Sequence, residues 1–201
     1  MENDLRVLDG LTEIMNIGVG RAADLMNTML NSHVSLTIPL VLLLSIEELT
    51  MESFFPVNTS FSAIEMKYSG AYKGFVELVF DIESAGKLVD CFVGTDTAPA
   101  EDFDSLRSGT LCEIGNIVIN SVLGTMANIL DVPLTFSVPF YHEGSGEELF
   151  KAMTMNTTST VLLTKATFTI EQLEITGDLA LFFSFSSYES LRSGLLALGQ
   201  G

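Results

Sequence analysis

The chain of 201 residues contains an internal repeat, and this repeat limits the possible folds more than any other feature. The segment Glu13-Ile14-Met15-Asn16-Ile17 recurs as Glu113-Ile114-Gly115-Asn116-Ile117, with four of five positions identical at an offset of 100 residues. Pro39 and Pro139 recur at the same offset, 23 residues after each asparagine. The two halves of the chain are therefore predicted to share one structural plan.

Each half is predicted to fold in the order α-β-β-β-α. In the first half we expect a helix over 4–30, strand-like sequence over 34–46, a hairpin of 61–68 and 72–80, and a helix over 84–93. In the second half we expect a helix over 104–130, strand-like sequence over 133–141, a hairpin of 158–170 and 175–185, and a helix over 188–198. A further short helix is expected over 144–153. Helices and hairpins that each need a covered face predict an α/β (α+β) fold, with long helices packed on one shared, largely antiparallel sheet about a pseudo-two-fold axis.

A single domain over residues 1–201 is expected, made of repeats over 1–94 and 101–201, with a joint at Thr95–Glu101. The first helix carries an apolar stripe at steps of three and four residues, which predicts its buried face. The stripe consists of Leu8, Leu11, Met15, Gly18, Ala22, Leu25 and Met29.

Composition excludes several classes of function. With 9 Lys+Arg against 26 Asp+Glu and a net charge of -17, the chain lacks the basic surface that nucleic acids or anionic lipids require. A hydrophobic content of 47% excludes a disordered chain. The longest apolar run, Ile38–Leu44, is broken by Pro39 and is shorter than the roughly 18 residues of a membrane span. Without a basic signal segment at Met1, we expect a cytoplasmic protein that does not enter a membrane.

The repeated polar residues fall on the outer side of the predicted helices. At 100° per residue, Asp9, Glu13 and Asn16 lie within about 60° of one another, opposite the apolar stripe. Glu113 and Asn116 occupy the same face of the second helix. A glutamate and an asparagine on such a face are most often just a solvated surface, whereas their repetition favours a function, and both interpretations stay open at this point.

The chemistry of these residues is that of a carboxylate and an amide. No serine or cysteine nucleophile with a base accompanies them, and the carboxylate pair of Asp9 and Glu13 is not repeated, since Gly109 replaces the aspartate. His33 and His142 are interpreted as structural, and Cys91 and Cys112 as buried thiols. A carboxamide on a convex helix can orient a water for in-line attack on a phosphoryl group of a partner, while the carboxylate binds a cation there.

The pattern [Asp/Ser]-x3-Glu-x2-Asn-x22-Pro resembles the signature of the CheC/CheX/FliY family of chemotaxis phosphatases. The first half matches it with Asp9, Glu13, Asn16 and Pro39. The second half matches it with Glu113, Asn116 and Pro139, with Gly109 as the departure. The resemblance extends over essentially the whole chain and looks closest to the CheC-like members.

The resemblance implies a phosphatase that acts on the phospho-aspartate of a CheY-type response regulator. Asn16 and Asn116 would position the attacking water, while Glu13 and Glu113 would pair with the lysine of the regulator's active site. Asp9 would be an accessory residue of the first site. The protein would need no cofactor of its own, because the Mg2+ of the reaction is bound by the regulator.

The resemblance also implies CheD as a further partner, and segment Gly144–Met153 is a candidate contact because it is an extra element of the second half. An alternative to catalysis is an adaptor that binds phosphorylated CheY or CheD without hydrolysis. A structural role in a flagellar switch is less expected, because FliY-like members carry an additional switch domain. Gly109 cannot supply the side chain of Asp9 and costs about 1 kcal/mol inside a helix, so the activity of the second site stays open.

Overall fold

A computed structural model describes residues 2–38, 40–45, 47–48, 59–93, 103–155, 160–170 and 173–198. These residues form five helices and an eight-stranded sheet. The helices are α1 (Glu2–Leu30), α2 (Ile82–Val93), α3 (Phe103–Ile129), α4 (Gly146–Met155) and α5 (Phe185–Leu198). The strands are β1 (Val34–Thr37), β2 (Val41–Ser45), β3 (Ser60–Gly70), β4 (Gly74–Asp81), β5 (Leu134–Phe136), β6 (Phe140–Ser145), β7 (Thr160–Ile170) and β8 (Leu173–Phe183).

The sheet is shared between the two halves. Its order is β1-β7-β8-β4-β3-β5, with β2 also pairing with β7 and β6 with β3, and every pairing is antiparallel. The edge strands of each half thus pair with the hairpin of the other half, and β4 and β8 meet in the middle. The predicted shared antiparallel sheet is confirmed.

The register of the sheet repeats with the sequence. Val34 pairs with Ile170, and the positions that correspond at the offset of 100 residues, Leu134 and Gly70, pair in the same way. The same holds further along the edges, where Val41 pairs with Thr164 and Tyr141 with Ile64. The pseudo-two-fold arrangement is therefore confirmed at the level of single residue pairs, while the predicted joint at 95–101 lies outside the described residues.

One predicted strand in each half is in fact two. The expected strand over 34–46 is β1 and β2, and the one over 133–141 is β5 with the start of β6. Pro139 lies in the gap between β5 and β6, where its missing N–H would interrupt a continuous ladder and where only an edge strand tolerates it. Pro39 itself lies outside the described residues. The α-β-β-β-α plan was therefore one strand short in each half.

The ends of the long helices also repeat. Asn31 and Asp131 follow α1 and α3 with positive φ angles of 47° and 50°. Asparagine and aspartate enter this left-handed region more readily than most residues, and one such residue ends many helices. The chain therefore turns from helix to sheet by the same device in both halves.

Most of the apolar core lies between α1, α2, α3 and α5 and one face of the sheet, and a smaller cluster that includes Leu149 of α4 lies on the other face. On α1 the predicted stripe is right at Leu11, Met15 and Ala22 but wrong at Leu25 and Met29, which are 52% and 56% exposed. The buried residues of that part are instead Ala23 and Met26. The predicted stripe had a strict period of 3.5 residues, which drifts by about 20° per heptad around a straight helix, so its last members turn away from the core.

The two long helices touch each other closely. A Cβ atom placed on Gly18 of α1 would lie 2.7 Å from the Cα of Val122 in α3. In the same way, a Cβ on Gly115 of α3 would lie 2.5 Å from the Cγ2 of Ile64 in β3. These glycines let α3 approach both α1 and the sheet, and they fix where its outer face points.

One helix in the described part of the chain passes a test of length and hydropathy for a membrane span. It is α3 over Asp104–Ile129, with a mean hydropathy of 1.2 in the best window. Half of that window is buried inside the protein, as in a core helix, so the test gives only weak evidence for a span.

Candidate functional site

The two predicted asparagines stand at the centres of the two long helices. Asn16 is the middle residue of α1, and Asn116 is the middle residue of α3. Their neighbours Ile14 and Ile114 are buried at 3% and 0% exposure and hold each helix against the core. The asparagines, two residues further and about 200° around the helix, are thereby turned outward from a rigid support.

In the first half, the site consists of Asp9, Glu13 and Asn16, and all three are exposed, as predicted. Nothing in the described part of the chain forms a hydrogen bond or ion pair with the side chain of Glu13 or Asn16. One turn further along α1, Gly20 has no side chain that could cover the amide. We call Asp9, Glu13 and Asn16 site one, and its polar atoms are free to meet a partner.

In the second half, the site consists of Glu113 and Asn116, which we call site two. Glu113 is exposed, but Asn116 is only partly exposed. The Nδ2 of Asn120, one turn further along α3, donates a hydrogen bond to the Oδ1 of Asn116 at 2.6 Å. The amide of site two is therefore already engaged within the protein.

Gly109 does not disturb the helix that carries site two. It lies inside α3, and a Cβ atom placed on it would meet nothing within 4 Å. Gly109 lines a shallow depression next to Glu113. The missing counterpart of Asp9 is thus a difference in the surface of site two and is not required by packing.

The proline of the motif packs beside site two. The thiol of Cys112 donates to the carbonyl oxygen of Pro139 at 4.0 Å, and Cys112 directly precedes Glu113. Burial, together with the nearby charge of Glu113, raises the pKa of the Cys112 thiol. The thiol thus stays protonated and supports the loop between β5 and β6. Cys112 and Cys91 are only partly buried, so the prediction of buried thiols is right only in part.

His142 forms a contact that lies away from both sites. His142 Nε2 is 3.4 Å from the Oε2 of Glu77, a carboxylate on β4 that is only 2% exposed. Burial raises the pKa of Glu77, and the hydrogen bond with Glu77 raises the pKa of His142. This pairing agrees with a structural role for His142.

No group of three or more His, Cys, Asp or Glu side chains within the described ranges is arranged to hold a metal ion. The carboxylates of both sites point away from the protein. The expectation that Mg2+ is supplied by a partner stays a prediction.

The curated proteins similar to this chain include two from Bacillus subtilis. The chain is 29% identical over 134 residues to the CheY-P phosphatase CheC of Bacillus subtilis, which covers 66% of this chain and 64% of that protein. The chain is thus similar to a CheC-type chemotaxis phosphatase. The flagellar motor switch phosphatase FliY of the same organism is 26% identical over 132 residues, which cover 65% of this chain and 34% of FliY. The matches thus span less than two thirds of either relative, and no family model matches the chain.

Solved structures show the same fold. FliY of Thermotoga maritima superposes with a TM-score of 0.75 at 18% identity and covers 95% of this chain and 96% of its own. CheX in a CheX–CheY–BeF3–Mg2+ complex from Borrelia burgdorferi superposes with a TM-score of 0.55 at 14% identity, covering 83% of this chain and 95% of its own. At these identities the likeness is one of fold, and the sites depend on the residues themselves.

Sequence reasoning missed Asn120. Its position corresponds to Gly20 at the offset of 100 residues, so the pentapeptide repeat ends before it. The available signal was a second asparagine four residues after Asn116, a spacing at which two side chains meet on one helical face.

Proposed function

We propose that this protein hydrolyses the phospho-aspartate of a CheY-type response regulator. The observation that carries the proposal is a Glu-x2-Asn pair at the centre of a long helix, present twice, with Glu13, Asn16 and Glu113 exposed and Asn116 partly exposed. A cytoplasmic location, where such regulators act, is part of the proposal.

The chemistry asks little of the helper protein. In phosphoryl transfer most of the catalytic gain comes from positioning and from charge stabilisation, without a covalent step on the protein. A carboxamide offers a donor and an acceptor at fixed geometry, so Asn16 or Asn116 would hold the attacking water in line with the phosphoryl group. Glu13 and Glu113 would bind a cationic side chain of the regulator and so fix the helix in place.

The relatives support this assignment. One is named a CheY-P phosphatase, and one structural neighbour is a CheX seen with CheY, BeF3 and Mg2+. Mg2+ in the proposed reaction belongs to the regulator.

A second candidate function is an adaptor that binds the phosphorylated regulator without hydrolysis. Site two favours it, because Glu113 is free to bind a cation whereas the amide of Asn116 is engaged by Asn120. CheD stays a predicted partner. Segment 144–153 was chosen as its contact because it is an extra element of the second half. The Ser–Glu capping box of Ser145 and Glu148 that opens α4 recurs at Ser45 and Glu48, so this reason for choosing the segment is weaker.

The test is the decay of a phosphorylated regulator. A purified CheY-type protein is phosphorylated with acetyl phosphate, and phosphate release is followed with and without catalytic amounts of this protein. We expect N16A/N116A to lose about 100-fold or more of the acceleration, as when one preorganised group is removed from an active site. Asn128→Ala, an exposed asparagine of α3 outside both sites, is the matched control and keeps full activity.

Two outcomes would decide against the proposal. Acceleration by N16A/N116A at the rate of the unaltered protein would show that the amides are not the catalytic groups. If the unaltered protein binds the phosphorylated regulator but does not shorten its lifetime, the adaptor function is correct instead.

A further inference from the structure

Sites one and two differ in how their asparagine is held. Asn120 donates from Nδ2 to the Oδ1 of Asn116 at 2.6 Å, whereas the corresponding position after Asn16 is Gly20. The two sites thus share a glutamate and an asparagine but not the residue one turn beyond.

The geometry of a helix explains why Asn120 reaches back over Asn116. Residues four apart share a helical face, and side chains lean toward the N-terminus of their helix. Asn116 is accordingly only partly exposed, while Asn16 is exposed. The side chain of Asn120 both covers the amide of site two and binds one of its two polar atoms.

Asn120 has no competing partner among the described residues. Its Oδ1 is buried and accepts no hydrogen bond from them. Rotating both carboxamides by 180° would exchange donor and acceptor and keep the contact with Asn116. Asn120 also lines the groove between α1 and α3, where Arg21 Nη1 donates to Thr125 Oγ1 at 3.0 Å and ties the two helices together. The contact with Asn116 is therefore the one polar interaction that this side chain makes in the described structure.

We infer that Asn120 is a positioning residue that restrains Asn116 and makes site two slower than site one. This inference rests on the proposed phosphatase function. To orient a water in a partner, Asn116 must extend from the helix and offer both its donor and its acceptor. The hydrogen bond with Asn120 occupies one of these atoms and holds the amide towards Asn120, so part of the population of site two is kept out of the reactive position.

The test isolates each site before altering it. In an Asn16→Ala background only site two remains, and we expect the further change Asn120→Ala to raise kcat two- to tenfold with little change in KM. This range corresponds to the net free energy of one hydrogen bond. The reciprocal experiment adds Gly20→Asn to an Asn116→Ala background, where we expect kcat of site one to fall by a similar factor. A Cβ atom at Gly20 meets nothing within 4 Å, so the new side chain fits without strain from packing.

The controls separate positioning from a general effect on the fold. Asn128→Ala in the Asn16→Ala background should leave kcat where it was. The rise caused by Asn120→Ala should vanish in N16A/N116A, because Asn120 acts through Asn116. Side-chain amide NMR gives a measurement without catalysis: the Asn120 Nδ2 protons should shift when Asn116 is replaced by alanine.

The inference is overturned if Asn120→Ala lowers kcat or leaves it unchanged, if the rise persists without Asn116, or if the Asn120 amide signals do not respond to Asn116→Ala. These failures are distinct from failure of the proposed function. If the proposed function is wrong, neither the unaltered protein nor any single variant will accelerate phosphate loss from the regulator, and the inference falls with the function.

Discussion

The two halves of the chain agree in their backbone and differ in their outward-facing side chains. The edge strands pair with the opposite hairpin in the same register, and a residue with positive φ follows each long helix. At the sites, Asp9 corresponds to Gly109 and Gly20 to Asn120. Each half supplies strands to the hairpin of the other, so a change of register would disturb both halves. Exposed positions are under no such constraint, and the duplicated sites could therefore become different.

The halves also differ on the face of the sheet away from α1 and α3. In the first hairpin Glu65 lies opposite Glu77, whereas in the second Lys165 lies opposite Asp178 and their side chains are 2.8 Å apart. Like charges opposite each other destabilise a sheet, and opposite charges stabilise it. Glu65 is paired with Lys67 of its own strand, and His142 from β6, when protonated, supplies the cation beside Glu77.

The largest expected effect concerns the crossing of the two helices. Gly18 lies against Val122, whereas the position in α3 that corresponds to Gly18 carries the buried Val118. Gly18→Ala forces a Cβ atom to 2.7 Å from the Cα of Val122, so we expect a loss of about 3 kcal/mol in the free energy of unfolding. Urea denaturation measures it.

Gly20→Ala, two residues along the same helix, is the matched control for that crossing. Its Cβ atom meets nothing, so the higher helix propensity of alanine should stabilise the protein by about 1 kcal/mol. Equal effects of the two alanines would contradict the close approach of α1 and α3 at Gly18.

The next effect tests the charge difference between the hairpins. His142→Leu introduces the residue type that the first half has at the corresponding position, Leu42. The change leaves the buried carboxylate of Glu77 without its cation. We expect a loss of about 2 kcal/mol at pH 6, because an unpaired buried charge is costly. Urea denaturation at pH 6 and pH 9 measures the loss.

The loss should shrink as the pH rises. The hydrogen bond with Glu77 raises the pKa of His142 above its usual value, so its contribution to stability is fully present below the unfolded pKa of about 6.5. That contribution disappears as the pH rises through the folded pKa. His33→Leu, at an exposed histidine, should change stability little at either pH. A loss from His142→Leu that is as large at pH 9 as at pH 6 would show that packing, and not the charge, is responsible.

The smallest effect concerns the missing carboxylate of site two. Gly109→Asp restores the motif, and its side chain has open space around it. In an Asn16→Ala background we expect a rise of two- to fivefold in kcat/KM, together with a gain of about 0.5 kcal/mol in stability from helix propensity. Gly109→Ala gives the stability gain without the carboxylate. If both variants raise kcat/KM equally, Asp9 is not an accessory residue.

Much of the fold could be predicted because it follows from local patterns and from the repeat. The bounds of both long helices were predicted within two residues, and the hairpins within two residues. The pairing of β1 and β2 with β7 could not be predicted, since nothing local indicates that each half pairs with the hairpin of the other. The apolar stripe failed at Leu25 and Met29 because a heptad spacing does not follow a straight helix over three repeats.

The positions of the two candidate sites could be predicted, but the difference in how their asparagines are held could not. Glu13, Asn16, Glu113 and their exposure follow from the motif and from helical geometry. The engagement of Asn116 by Asn120 depends on rotamers and on the groove beside α1, which the spacing of residues alone does not determine.

The central claim is that two amides catalyse the same reaction unequally. The direct measurement is kcat/KM for one phosphorylated regulator with the unaltered protein, Asn16→Ala and Asn116→Ala. We predict that Asn16→Ala loses most of the activity, about fivefold or more, whereas Asn116→Ala loses less than half of it. Equal losses, or a greater loss from Asn116→Ala, would contradict the account.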